Sequence, residues 1–183
     1  MPERDELALL IVDVQNDYWL PPREPRPQFL RTAVDLLEFA RERDVTVAHI
    51  QQASVKAHGR FQPGTLGFDV RQELTPEEGE LRIVKHTPGS FYGTNLDELL
   101  RARGVTRVAI CGMQTQKCCD TTTRDASARG YGCFFVSDAV ETFDLTGPTG
   151  EIVTRDEIAR ATFATLHNGF ARVLTFEELR HEV

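Results

Sequence analysis

Residues 7–14 read Leu-Ala-Leu-Leu-Ile-Val-Asp-Val, an unbroken apolar run that ends on a carboxylate. A strand with one wet face alternates apolar and polar residues. A run this short and continuous therefore reads as a strand covered on both faces, as in a parallel sheet. Outward from it, residues 21–27 (PPREPRP) read as a stiff extended loop. Phe29 to Arg43 carries Leu30, Val34, Leu37 and Ala40 or Arg41 at helical spacing, which predicts an amphipathic helix. Val45 to Ile50 reads as the second strand.

Residues 53–80 have weak periodicity and several Gly and Pro, so they read as a long functional or disordered loop. Leu81–Lys85, Arg107–Gly112, Tyr131–Val136 and Ala171–Leu174 read as further strands. Between them, Thr94–Arg103, Thr115–Arg129 and the segment from Thr154 to Gly169 read as helices. Thr94-x-x-Asp97, Thr154-x-x-Glu157 and Thr175-x-x-Glu178 have the spacing of capping boxes, the last opening a short final helix. Three helices end in glycine just before a strand. The alternation predicts an α/β fold: a three-layer, doubly wound sheet of about six mainly parallel strands. With 183 residues, no internal repeat and no break in composition, one domain over residues 1–183 is expected.

Composition excludes several function classes. The formal charge is −7 and the pI is near 5.3, so nucleic acid and anionic membrane are poor partners and a small-molecule substrate is expected. No apolar run approaches the ~20 residues that span a bilayer, and the charged start lacks a signal-peptide core, so a cytoplasmic location is expected. Cys111, Cys118, Cys119 and Cys133 contain no CxxC spacing, which argues against a zinc ribbon or a dithiol redox motif.

In doubly wound sheets, ligands bind outside the carboxyl ends of the strands. Three reactive side chains meet that condition. Asp13 ends the first strand, where a carboxylate is costly to bury unless it is paired or working; capping the next turn is the alternative. Lys85 ends another strand, either as a snorkelling side chain or as a charge partner for Asp13. Cys118 falls in the first turn after the strand ending at Gly112, where free N–H groups stabilise a thiolate. On a helix Cys119 shares a face with Thr122, Thr123 and Ala126, so Cys119 reads as packing and Cys118 as the exposed thiol. Lys85 and the helix start are both expected to acidify Cys118, allowing alkylation well below the ordinary thiol pKa of ~8.5.

Three segments in this order resemble a known family. They are Asp13-x-Gln15-x-Asp17; Lys85-x-x-x-Gly89-Ser90-Phe91-x-Gly93-Thr94-x-Leu96; and Gly112-x-x-Thr115-x-x-Cys118 followed by Thr122, Ala126, Gly130-Tyr131 and Asp138-Ala139. Over nearly its whole length the chain resembles the isochorismatase-like cysteine hydrolases, which include nicotinamidases, N-carbamoylsarcosine amidases and ureidoacrylate amidohydrolases. The resemblance implies a Cys118 nucleophile, an Asp13 general base and Lys85 between them. It implies a cis peptide at Met113–Gln114, and an oxyanion hole made by the amides of Gln114 and Cys118. It also implies a homo-oligomer, dimer or tetramer, and hydrolysis of a C–N bond in a small amide, carbamoyl or ureido compound.

The chain departs from the nicotinamidase pattern. Where those enzymes carry an Asp-x-His metal set, it reads His49-Ile50-Gln51-Gln52-Ala53-Ser54, so no metal and no cofactor are expected. His49 reads as a strand residue and His58 as a loop residue. Gln15, Tyr18 and Phe91 are the candidates for substrate contact, with core packing as the alternative for the aromatics and for Trp19. Phe61 to Phe68 resembles the family's loop before the lysine strand, as a lid or a subunit contact. A vinyl-ether hydrolase on the same fold is the first rival reading, which Cys118 counts against because that reaction needs no thiol. A non-catalytic α/β binding module is the second.

Overall fold

The computed structural model describes residues 6–56 and 59–183 of the chain. The run that opens the sequence forms β1 (Leu7–Val12), buried at every position. Its side chains divide by parity. Leu7, Leu9 and Ile11 enter one apolar cluster, while Ala8, Leu10 and Val12 enter another on the opposite face. Two wet-free faces are the physical reason the sequence does not alternate.

The remaining elements are α1 (Pro27–Glu42), β2 (Thr46–Gln52), β3 (Leu81–Lys85), α2 (Leu96–Ala102), β4 (Arg107–Met113), α3 (Asp120–Ala128) and β5 (Gly132–Glu141). They continue with β6 (Leu145–Thr146), β7 (Ile152–Val153), α4 (Arg155–His167), β8 (Arg172–Leu174) and α5 (Phe176–Arg180). Six strands form one sheet in the order β3-β2-β1-β4-β5-β8, and every pairing is parallel. α1 and α5 cover the first face through Phe29, Leu36, Leu37 and Leu179. α2, α3 and α4 cover the second through Leu96, Leu100, Ala126 and Leu166. This is the doubly wound, three-layer α/β architecture that the sequence implies, with the strand order reversing between β1 and β4.

Local differences have local causes. The buried stripe of α1 runs through Phe29, Ala33, Leu36, Leu37 and Ala40, so Leu30 and Val34 sit at its margin rather than its centre. The box expected at Thr94 does not form. Thr94 Oγ1 instead donates to Ser90 O at 2.7 Å, and Asp97 accepts from Tyr131 Oη at 2.7 Å. The boxes at Thr154 and Thr175 do form. Pro21–Pro22 is cis and residues 20–23 turn, so the proline-rich loop is not extended throughout. The hairpin of β6 and β7 was not legible, because two-residue strands leave no period to read. The segment expected as one helix from Thr115 divides into a wide π turn, Thr115–Cys119, and α3.

Candidate active site

Asp13 follows β1 with φ +54, in the left-handed region that costs a non-glycine residue of order 1–3 kcal/mol. Its amide donates to Ile50 O at 2.8 Å, which holds the turn against β2. The side chain is fully buried. On the other side of the crossover, Gly112 has φ +122 and its α-carbon lies so close to β1 that a Cβ would meet Val12 O at 2.0 Å. Only glycine fits this approach, which brings the end of β4 against the end of β1. The β4–β5 register shifts between Ile110 and Gly112, a bulge of the kind found beside active sites.

Lys85 ends β3, two strands away, and is also fully buried. Its Nζ donates three hydrogen bonds: to Asp13 Oδ2 at 2.8 Å, Gln52 Oε1 at 2.9 Å and Thr87 O at 3.1 Å. Every ammonium proton is therefore used, the condition under which a buried cation is tolerated. Burial alone would lower the Lys85 pKa, but Asp13 and then Cys118 outweigh it, and the net shift is upward; the lysine stays charged. Burial raises the Asp13 pKa despite Lys85. Asp13 Oδ1 is buried without a hydrogen-bond partner, and the Cys118 thiol is near enough for the carboxylate and the sulfur to act on each other's ionisation.

Cys118 lies in the π turn, which is closed by Cys119 N donating to Gln114 O at 3.2 Å. Lys117 N donates to the same oxygen at 3.0 Å. π turns are concentrated at functional sites because the extra residue re-aims a side chain. The Met113–Gln114 bond immediately before the turn is cis. Cys118 is 8 % exposed and Cys119 0 %, so Cys118 is the more accessible of the two, though both are buried. The expected acidification is not what the geometry produces. Burial first and the Asp13 charge second push the Cys118 thiol up to about 12, overcoming Lys85. The resting arrangement is a protonated thiol beside a carboxylate, ready for proton transfer rather than already ionised.

The other candidates divide. Tyr18 is buried near the cluster, and its pKa is raised well above its ordinary value by burial, then by Asp13 and Cys118. Its ring lies 5.0 Å from Phe61 and 6.0 Å from Phe143. Gln15 is fully buried, and its amide is spent on backbone. Nε2 donates to Gln52 O and Phe68 O, and Oε1 accepts from Gln52 N. That bracing leaves it a positioning residue rather than a substrate contact. Phe91 is a correction. It stacks on Tyr131 at 5.9 Å under Arg129, which is the core-packing alternative, while Ser90 before it is tied to Thr122 in the first turn of α3. Trp19 stacks on Phe29 of α1.

Three features were missed. Gln52 links Lys85 and Gln15; its register opposite Lys85 on a parallel neighbour is the signal, visible only once the strands are paired. Residues 66–71 are ordered against the segment after β1, with Asp17 N donating to Gly67 O at 3.0 Å and Arg71 N to Val14 O at 3.0 Å. Thr142, beyond β5, donates to Gln116 Oε1 at 2.7 Å and so holds the turn that carries Cys118. A cavity of about 940 Å³ bordered by Glu6, Leu7, Val45 and Thr46 lies at the amino ends of the strands, the wrong pole for this site.

Among the described residues the side chains present do not fit a metal. His49 is 1 % exposed inside β2, where its Nε2 lies 2.8 Å from Glu80 Oε2, and burial lowers its pKa so that the ring is neutral. Among the described residues no group of three His, Cys, Asp or Glu could hold an ion. His58 lies outside the described residues. Among the described residues no helix is long and apolar enough to cross a membrane.

Fold and site together define an α/β protein with a cysteine, a carboxylate and a buried lysine gathered at the carboxyl ends of a parallel sheet. Residues 7–178 match the model of the isochorismatase domain. An isochorismatase family protein of Bacillus subtilis, YrdC, is 34 % identical over 179 residues, covering 96 % of this chain and 95 % of its own. A crystal structure of an isochorismatase-family protein from Chromobacterium violaceum superposes with a TM-score of 0.91 at 31 % identity, over 97 % of this chain and 93 % of that one. Nicotinamidase 3 of Arabidopsis thaliana is 27 % identical, covering 100 % of this chain and 91 % of its own. The chain belongs to the isochorismatase family and is a hydrolase of that family.

Proposed function

We propose that this hydrolase cleaves a C–N bond of a small amide, carbamoyl or ureido compound through a thioester on Cys118. The observation that carries the reading is the buried Asp13 carboxylate, held by Lys85 at 2.8 Å through one oxygen and left unpartnered at the other, with the Cys118 thiol near enough to exchange a proton with it. Asp13 takes the thiol proton as Sγ bonds to the carbonyl carbon. The amides of Gln114 and Cys118 receive the oxyanion. The C–N bond then breaks as Asp13 passes its proton to the leaving nitrogen. Water attacks the thioester and gives a proton to Asp13; the C–S bond breaks and that proton returns to sulfur. Lys85, charged throughout, keeps Asp13 anionic at the moments when a base is needed. A relative named as a nicotinamidase supports an amide C–N bond. Vinyl-ether hydrolysis is the weaker reading, since it leaves the thiol without a role.

Ammonia release from a panel of small amides and ureas tests this, with intact-protein mass spectrometry to trap the acyl adduct. Cys118→Ala is expected to abolish release and adduct while remaining folded. Turnover within about tenfold of the parent would remove nucleophilic catalysis from the scheme.

A further inference from the structure

Tyr18 and Phe61 are overlain by one guanidinium. Arg60 lies 5.0 Å from the Tyr18 ring centroid and 4.7 Å from that of Phe61. Its Nη2 donates to Asp17 O at 2.6 Å, which ties the loop after β2 to the segment after β1. Asp17 also accepts from Phe61 N, so its carboxylate is occupied by backbone. A second guanidinium, Arg23, lies 5.8 Å from the Phe143 centroid. Among the described residues neither arginine has a carboxylate within 4.0 Å, so neither guanidinium is committed to an ion pair, unlike Arg41 or Arg71. The two cations stand together on an aromatic wall at the carboxyl pole of a chain of net charge −7, Arg23 being near enough to Arg60 to act on its charge.

We propose that the substrate carries an anionic group, a carboxylate or an equivalent oxyanion, and that Arg60 is the specificity residue that receives it, with Arg23 reinforcing the field. The inference deepens the reading of Cys118 and Asp13 as the reacting pair and rests on it. The topology supports the distance relation. Tyr18, Arg60 with Phe61, and Phe143 stand on the loops after β1, β2 and β5, all at the carboxyl pole. Tyr18 connects them to the site, since it is within electrostatic reach of both Asp13 and Cys118. Arg60 retains donors beyond the one given to Asp17, and a planar guanidinium offers two of them side by side to a carboxylate. Burial and then Arg23 lower the Arg60 pKa from its ordinary value, so a bound anion relieves crowding of positive charge at this spot.

The test is protection of Cys118 from iodoacetamide at about pH 9, read by peptide mass spectrometry so that it does not depend on turnover. The probes are malonamate, succinamate and glutaramate, each against the neutral amide of matched length: propionamide, butyramide and valeramide. At least one anionic probe is expected to protect at a concentration at least about tenfold below that of its neutral match, the scale of one charge-assisted hydrogen bond. In Arg60→Gln that ratio is expected to fall towards one, and Arg60→Lys, which keeps the cation on the same loop, should retain part of it. No advantage for any anionic probe overturns the proposal, as does a ratio unchanged in Arg60→Gln. Equal loss in the Gln and Lys variants, with a lowered melting temperature, gives Arg60 a merely structural role and also overturns it. Protection by an anionic probe with no ammonia released from any probe counts against the C–N reaction and leaves the anion subsite standing.

Discussion

Replacing Lys85 by Met keeps most of the stem and deletes the charge, so it isolates what the buried cation does. In the parent, Lys85 and Asp13 are both fully buried and 2.8 Å apart. The substitution strands three acceptors at once: Asp13 Oδ2, Gln52 Oε1 and the Thr87 carbonyl. Removing one partner of a buried pair costs about 3–5 kcal/mol, because the remaining charge has lost its counter-charge. Total stability for a domain is about 5–15 kcal/mol, so this is a large fraction of it. For a chain of this length each kcal/mol moves the melting temperature by about 2–4 °C, giving an expected fall of about 6–20 °C. The loss should depend on pH. Without the cation, burial raises the folded-state pKa of Asp13 further above its ordinary value of 3.8, and the folded protein keeps a proton that the unfolded chain has released. That contribution is fully present below the unfolded value and is lost as pH rises through the folded one. Lys85→Met should therefore lose less stability at about pH 5 than at about pH 8. Adding Asp13→Asn removes the stranded charge and should recover much of the melting temperature while leaving the protein inactive. The assay is thermal unfolding of parent, both single variants and the double variant at the two pH values. A fall of less than about 2 °C in Lys85→Met, or no recovery in the double variant, refutes the buried-pair argument.

Three further outcomes are expected. Cys119→Val exchanges one buried, small, apolar side chain for another and should keep activity within a few-fold of the parent; its loss without unfolding would move the nucleophile to Cys119. Because burial and Asp13 push the Cys118 thiol up to about 12, its alkylation rate in the free enzyme should keep climbing through pH 9 and 10, and a plateau by about pH 8 would contradict the burial argument. A chelator should leave ammonia release unchanged, since His49 is engaged by Glu80 within the sheet; inactivation reversed by a divalent ion would show a metal role.

Much of this protein is written in local pattern. Leu7–Val12 is apolar at every position because two helical layers cover it, and that alone announces a parallel sheet. The capping boxes at Thr154 and Thr175 are side-chain-to-backbone contacts three residues apart, so sequence spacing suffices to find them. The candidates Asp13, Lys85 and Cys118 were reachable for the same reason, each lying at the end of a recognisable strand or at the start of the helix that follows. Their meeting was not. Asp13 and Lys85 are 72 residues apart and touch only because β3, β2 and β1 are neighbours in the sheet, with Gln52 in register beside Lys85. The place of Phe91 likewise depends on packing: its ring stacks on Tyr131, 40 residues on, and no spacing rule contains that contact. The protonation of Cys118 differs in sign from what local sequence implies, because a helix start and a lysine are visible in sequence while the depth of burial and a carboxylate near the thiol are not. Residue order determined which groups stand at the carboxyl ends of strands. Desolvation and cross-strand distance, which are properties of the assembled sheet, decided their charges and their partners.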